Sequence, residues 1–325
     1  MNYHLQENLD FETELPSLSE IWAKKYVAKL KARDNYLYSL EAAKFRIEIA
    51  QNLTELLRSI SAAAWHKTES LLANEIRRHH ISTELLDPWL ITKDVYQVYE
   101  KTLSAYANHI SPQQLSVAIA ADIGKIRQTY TAIDPRVIGF VSMQFHYCGH
   151  LIVNQVDHTI QETLAAYFKV IDDHLYMPLQ RAYEAAASCN YDSPRLQTVH
   201  HLLPHSSKIA VSVVETVIQR HPTYTTHSGQ LNDPAVRVSS IRDVEMFQVY
   251  LWTCVLEQNI SAITQELFPL CVMLYPRLNI SWELVREMLT LLHQSFTEYG
   301  NASDKGYYQP YHDSLWRMFS TAVLE

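Results

Sequence analysis

Apolar residues recur every three or four positions along most of the chain, which is the spacing of an amphipathic helix. No proline or glycine interrupts residues 17–79, so this stretch predicts one long helix or two, with the favoured break at Asp34-Asn35. Its apolar positions are predicted to form one buried stripe. The stripe consists of Leu53, Leu56, Ile60, Ala63, Ala64, Leu71 and Leu72.

Capping signals divide the remainder of the chain into further helices. Ser111-Pro112-Gln113-Gln114 combines a cap, a proline at the first helical position and a glutamine three residues after the cap. Asp134-Pro135 and Ser193-Pro194 repeat the order of cap and proline, and Ser281 predicts another start. By contrast, residues 222–239 lack a helical pattern and predict an irregular connection, and residues 300–309 predict a polar loop.

Composition supports the helical interpretation. The chain has 6 glycines in 325 residues, far below the usual share of about 7%, whereas sheets and barrels need many tight turns. We therefore predict an all-α fold, a multi-helix bundle of about ten to twelve helices with almost no strand. The predicted parts are an acidic N-terminal tail (1–16), an N-terminal helical domain (17–190) and a C-terminal helical domain (191–325).

Charge and cysteine usage narrow the classes of protein. The net charge is −8, although residues 20–80 carry a local excess of four positive charges. An acidic body argues against nucleic-acid binding, which needs a basic surface. The four cysteines form no CxxC pair, which is typical of a reducing compartment. No secretory signal or apolar run of membrane-spanning length is visible, so we expect a cytoplasmic protein without membrane insertion.

The familiar catalytic motifs are missing. The chain contains no GxxxxGK[ST], GxGxxG or GxSxG sequence, and neither ExxH nor HExxH occurs. These absences favour a protein that is not an enzyme.

The densest group of candidate ligands lies in FHYCGH. His146 and His150 are four residues apart on one predicted helix, so both imidazoles lie on the same face and could bind a metal or flank a planar cofactor. Asp173 and His174 on the next helix could complete a metal site. Alternatively, His146, His150 and Tyr147 could contact a haem or bilin. Ordinary core or surface histidines explain the same pattern, and a protein without any cofactor stays open.

A third candidate surface lies near the N-terminus. Trp22, Lys25, Tyr26 and Lys29 interleave aromatic and basic side chains on a predicted helix. Such a mixture is typical of a surface that docks an acidic protein or a second copy of the chain. We therefore expect a protein partner, and a homo-oligomer is one form it could take.

Several segments resemble a known group of proteins. The sequences SMQFHYCGH, KVIDDHLYMPLQRAYEAAA, SSIRDVEMFQ and QELFPLCVMLYP resemble an uncharacterised all-helical family of cyanobacteria, over most of the chain. The N-terminal helices also resemble the globin-like sensor and phycobiliprotein architecture. The chain departs from those proteins because it lacks a recognisable haem-ligand or bilin-cysteine motif.

Three functions follow from these observations. The first is a non-enzymatic regulatory or interaction protein that docks through its helices. The second is a helical sensor that holds a tetrapyrrole, haem or bilin, in the N-terminal domain. The third is a metal-dependent enzyme with a His/Asp site.

Overall fold

The all-α prediction is confirmed. A computed structural model describes the backbone of residues 40–324 and the side chains of residues 44–324. Helices of all types make up 81% of those described residues. The only described strands are β1 (Thr225–Thr226) and β2 (Gly229–Gln230), which pair antiparallel in a small hairpin. Trp22, Lys25, Tyr26 and Lys29 lie outside the described residues.

Twelve α-helices of seven residues or more lie within residues 40–324, followed by a single turn. They are α1 (Leu40–Arg78), α2 (Pro88–Ala107), α3 (Pro112–Thr131), α4 (Val137–Val153), α5 (His158–Tyr176), α6 (Leu179–Ala187), α7 (Pro194–Leu202), α8 (Ser206–Arg220), α9 (Pro234–Glu257), α10 (Phe268–Leu274), α11 (Trp282–Tyr299) and α12 (Ala302–Met318), with the turn α13 at Thr321–Leu324. A π-helix, Ala262–Leu267, leads into α10, and two 3₁₀ turns occupy Thr83–Leu85 and Leu203–His205.

The buried stripe of α1 is shifted from the predicted one. Leu53, Ile60, Ala64 and Leu72 are buried as expected, and α1 packs against α2 and α4. Leu56 and Ala63, however, are exposed, and Leu57 is buried instead. The reason is helical geometry: at about 100° per residue, Leu57 lies on the same side of Leu53 as the buried Ala50 and Ala64, whereas Leu56 and Ala63 lie roughly 60–80° round the other side.

Two helices are buried around their whole circumference. Every residue from Val137 to Phe145 of α4 is buried, and so is every residue from Val244 to Leu256 of α9. A helix that is apolar on all sides needs neighbours on all sides. Accordingly, α4 contacts α1, α2, α3, α5 and α10, and α9 contacts α5, α6, α7, α8 and α12.

A glycine allows the two halves of the chain to approach closely. At Gly139 of α4, an added Cβ would overlap the terminal methyl group of Met273 in α10. The missing side chain therefore leaves room for the Met273 side chain against α4.

Two segments depart from the predicted loops. The irregular connection ends at Asp233, and residues 234–239 already belong to α9, because Asp233-Pro234 supplies the same cap-then-proline start as the earlier helices. Ser240 and Asp243 therefore lie inside this helix. The expected polar loop at 300–309 is mostly helical: Asn301 and Asp304 form a reciprocal capping box that starts α12.

Buried charges join α3, α6, α9 and the π-helix. Arg127 Nη2 donates to Glu266 Oε2 at 2.7 Å and to the Tyr250 hydroxyl at 2.9 Å. Arg181 Nη1 donates to the second carboxylate oxygen of Glu266 at 2.5 Å, and its Nε donates to Glu257 at 2.6 Å. This pairing satisfies Arg127, which is 5% exposed, and it connects residues that lie up to 139 positions apart.

A second buried carboxylate fixes the end of α1. The side chain of Glu75 is fully buried and forms an ion pair with Arg277. Its Oε2 atom also lies 3.0 Å from His79 Nε2. None of the described helices is long and apolar enough to cross a membrane.

We predict that Arg127→Leu destabilises the protein by about 3–5 kcal/mol, because it leaves the buried Glu266 with one cation fewer. The free energy of unfolding from urea titration measures the effect. Lys101→Ala is the matched control: it removes an ion pair to Asp122 in which the lysine side chain is 47% exposed. The control should cost about 1 kcal/mol or less. Equal losses in the two variants would contradict the structural role of Arg127.

Candidate functional site

A large cavity lies between the two halves of the chain. Its volume is about 1260 Å³, which exceeds the roughly 300–1,000 Å³ of ordinary small-molecule sites. Its lining comes mainly from α4, α5, the β1–β2 hairpin, the first turns of α9, and α10. The cavity can therefore accommodate an extended ligand.

His146, Tyr147 and His150 all lie in the wall of this cavity. They lie just after the buried run of α4, on the side of the helix that faces the cavity. Phe145 and Cys148, on the other side of the helix, are in the core. The spacing of four residues thus places both imidazoles on the same face, as predicted. Tyr167 and Phe168 of α5 also line the cavity.

A cluster of charged groups from three helices occupies the wall. His146 Nδ1 of α4 lies 2.9 Å from Asp172 Oδ2 of α5. Arg242 Nη1 of α9 donates to the same carboxylate oxygen at 3.4 Å, and its Nη2 lies 3.8 Å from Asp243 Oδ1. We call His146, Asp172, Arg242 and Asp243 the cavity cluster; it brings together side chains that are up to 97 positions apart.

The pKa values of the two carboxyl groups in the cavity cluster are shifted in opposite directions. Burial alone would raise the pKa of Asp172, but His146 and Arg242 outweigh it and the pKa is lowered. Burial likewise raises the pKa of Asp243, and there Arg242 opposes the effect without reversing it. Asp172 is therefore held as a carboxylate, whereas Asp243 protonates more readily than an ordinary aspartate.

Arg242 is incompletely satisfied by the protein. Its guanidinium stacks over the Tyr176 ring, with Cζ 4.2 Å from the ring centroid. Its side chain is 13% exposed, and its buried Nε atom has no hydrogen-bond partner among the described residues. An unpartnered buried donor costs free energy, so Arg242 retains capacity for an acceptor from a ligand.

Two basic side chains of α1, Arg46 and Lys67, also line the cavity. Lys67 Nζ lies 5.8 Å from the centre of the Tyr147 ring. Burial lowers the pKa of His150, and His146 and Lys67 lower it further, so His150 stays neutral at neutral pH. The lining thus presents cations at two places, which favours a ligand with negatively charged groups.

The residues predicted to bind a metal are not brought together. Asp173 faces away from His146 and receives Lys169 Nζ at 2.6 Å. His174 is buried against α3, where its Nε2 lies 2.8 Å from Ser116 Oγ. The partner of His146 is Asp172 instead, because one residue along a helix is a rotation of about 100°. No group of three His, Cys, Asp or Glu in the described part of the chain could hold a metal ion.

One of the chain's four cysteines, Cys271 of α10, lies in the cavity wall of the described structure. Burial raises its pKa well above the usual value for a thiol. A thiol is a weak nucleophile until it loses its proton. Cys271 is therefore poorly suited to covalent attachment of a ligand.

Arg242, Asp243 and Tyr176 are the site residues that the sequence analysis missed. The sequence did contain a signal for the first two: an adjacent acid and base stand at the start of a helical run in which nearly every later residue is apolar. Charges beside such a run need a partner or a ligand. Tyr176 carries no comparable signal, because tyrosines are scattered along the chain.

Comparison with known proteins found a family match for part of the chain. Residues 158–318, just under half of the sequence, match the family model described as "Phycobilisome protein". This result replaces the uncharacterised family expected from the sequence with a named all-helical one over that segment. No curated protein and no solved structure matches the chain. The match covers α5 to α12, and therefore Asp172, Arg242 and Asp243, whereas His146 precedes it.

Stability should depend on pH through His174. Burial lowers its pKa from 6.5 to about 3, so the folded protein keeps it neutral while the unfolded chain protonates it below its ordinary pKa. The contribution of neutral His174 to the free energy of unfolding is complete above pH 6.5. It is lost as the pH falls towards about 3, the pKa of His174 in the folded protein. His174→Gln should flatten this dependence by up to about 1.4 kcal/mol per pH unit.

Chemical unfolding at several pH values measures that slope. His158→Gln is the matched control, since His158 is exposed at the start of α5. If His174→Gln kept the full slope of the unaltered protein, another group would be responsible for it.

Proposed function

We propose that the protein binds a tetrapyrrole of the bilin type in the cavity, without a covalent bond. The observation that carries this proposal is Arg242: a buried cation with an unpartnered Nε in the wall of a large cavity, beside two carboxyl groups. The second function considered from the sequence, a helical tetrapyrrole sensor, is therefore preferred to the metal-dependent enzyme.

The chemistry of the lining fits such a ligand. A bilin has four pyrrole rings, whose faces suit aromatic walls such as Tyr147, Tyr167 and Phe168. Its propionate groups would pair with Arg242 or with Lys67, which both line the cavity. Its pyrrole N–H groups would donate to Asp172 or Asp243. When bound, the pigment supplies absorption of visible light, and the protein supplies orientation and charge.

The family match supports the same proposal. Phycobilisome family proteins bind bilin pigments, and the matched segment contributes α5, the β1–β2 hairpin, α9 and α10 to the cavity. We infer that the protein acts as a pigment-binding member of this family, by binding rather than by catalysis. Non-covalent binding is inferred because Cys271, the cavity's cysteine in the described structure, is buried and protonated.

Titration of the full-length protein with biliverdin tests the proposal. We expect saturable binding of one equivalent, seen as a shifted and sharpened visible band, and release of free pigment on denaturation. Arg242→Leu should weaken binding about tenfold or more, since a charge-assisted hydrogen bond contributes roughly 1.5–3 kcal/mol.

Arg237→Leu is the matched control on the same helix, because Arg237 forms an exposed ion pair with Glu215 outside the cavity lining. Circular dichroism checks that both variants are folded. Failure of the unaltered protein to bind any bilin, or equal weakening by both substitutions, would contradict the proposal.

We also propose that the protein docks on another protein, and one exposed surface favours this. Trp89 is 84% exposed and Ile133 is 78% exposed. They lie at the same end of the α2–α3 pair, because the Tyr130 hydroxyl near the end of α3 donates to Asp94 near the start of α2. Exposed apolar groups this large mark interaction surfaces.

Replacing both Trp89 and Ile133 with serine should abolish co-sedimentation with isolated phycobilisomes, or the protein's own association at rising concentration. The melting temperature should change little, because surface substitutions cost about 0.5 kcal/mol or less. Val117→Ser, at a position 62% exposed on α3, is the control. Unchanged association in the double variant would refute this surface as the docking site.

A further inference from the structure

The orientation of His146 identifies one face of the bound ligand. Its Nδ1 lies 2.9 Å from Asp172 Oδ2, so the Nδ1 hydrogen is donated to that carboxylate, and the tautomer that keeps this bond has its lone pair on Nε2. The imidazole is 32% exposed and lines the cavity, and its Nε2 has no hydrogen-bond partner among the described residues. The hydrogen bond to Asp172 thus fixes the tautomer of His146 and leaves the Nε2 lone pair available in the cavity.

A carboxylate behind a histidine is the arrangement that proteins use to orient metal ligands and increase their basicity. Arg242 holds Asp172 from the other side at 3.4 Å, which fixes the carboxylate in turn. A bare metal ion would still lack ligands here, since the described residues offer no group of three donors. A metal that already has four pyrrole nitrogens needs only one donor from the protein.

We infer that the cavity also accepts an iron tetrapyrrole, haem, with His146 Nε2 as the axial ligand. The bond is dative: the Nε2 lone pair is donated to iron, and the Nδ1 proton stays between His146 and Asp172. His150 lies one turn further along the same face of α4, so it does not reach the opposite side of the same ring plane. We therefore expect His150 to leave the sixth position of the iron open.

This inference rests on the proposed function, because it requires that the cavity admit a tetrapyrrole. Titration of the full-length protein with hemin, followed by reduction and addition of carbon monoxide, tests it. We expect one equivalent bound, a five-coordinate high-spin ferrous spectrum, and a six-coordinate carbon monoxide adduct. His146→Gly should lose this spectrum, and added imidazole should restore it.

Asp172→Asn separates ligation from simple packing. It keeps His146 but weakens the carboxylate behind it, so hemin affinity should fall about 10- to 100-fold. The iron–histidine stretching frequency in the resonance Raman spectrum should fall as well. His158→Ala is the matched control, since His158 is exposed at the start of α5 and lies outside the cavity lining, so the spectrum should stay unchanged.

The possible failures are distinguishable. Binding of biliverdin without hemin would overturn the haem inference and leave the proposed function intact. Hemin bound with the same spectrum in His146→Gly would also overturn it, because the axial ligand would then be another group. If neither pigment bound, both proposals would fail.

Discussion

The structure depends on two helices that have no polar face. α4 and α9 are buried over nine and thirteen consecutive residues, Val137–Phe145 and Val244–Leu256. Each must be covered on every side, because an exposed apolar face costs about 25 cal/mol for each Å² left in water. The other helices are arranged as that cover: α1, α2 and α5 surround α4, and α6, α8 and α12 surround α9. α10 reaches α4 at Gly139, where the absent side chain permits the approach.

The cavity lies at the ends of the buried runs of α4 and α9, where the side chains between the helices change from apolar to polar. α4 and α9 each have partly exposed residues at one end of the buried run, and those residues include His146 on α4 and Arg242 on α9. Asp172 of α5 lies between them and contacts both. Burying such charges is tolerated only when they are paired. The pairing holds the polar wall together, while Arg242 keeps one donor unsatisfied.

The segment that matches the phycobilisome family does not enclose the cavity alone. Asp172, Arg242 and Asp243 belong to residues 158–318, whereas His146, Tyr147 and Lys67 precede them. The earlier helices thus add an imidazole and a cation to a wall that the matched segment begins. The proposals on bilin and haem both depend on this joint construction, since one uses mainly the matched side and the other uses His146.

The sequence by itself determined the fold class, most helix starts and the common face of His146 and His150, because these depend on spacing and capping within one helix. It also contains the capping box of Asn301 and Asp304, although the polar composition of residues 300–309 favours a loop. Only the tertiary structure decided that Leu57 rather than Leu56 is buried, and that Asp172 rather than Asp173 meets His146. It alone brought Arg242 to the same carboxylate. The physical reason is that a helix fixes the relative directions of its own side chains, whereas packing between helices decides which of those directions meets a partner.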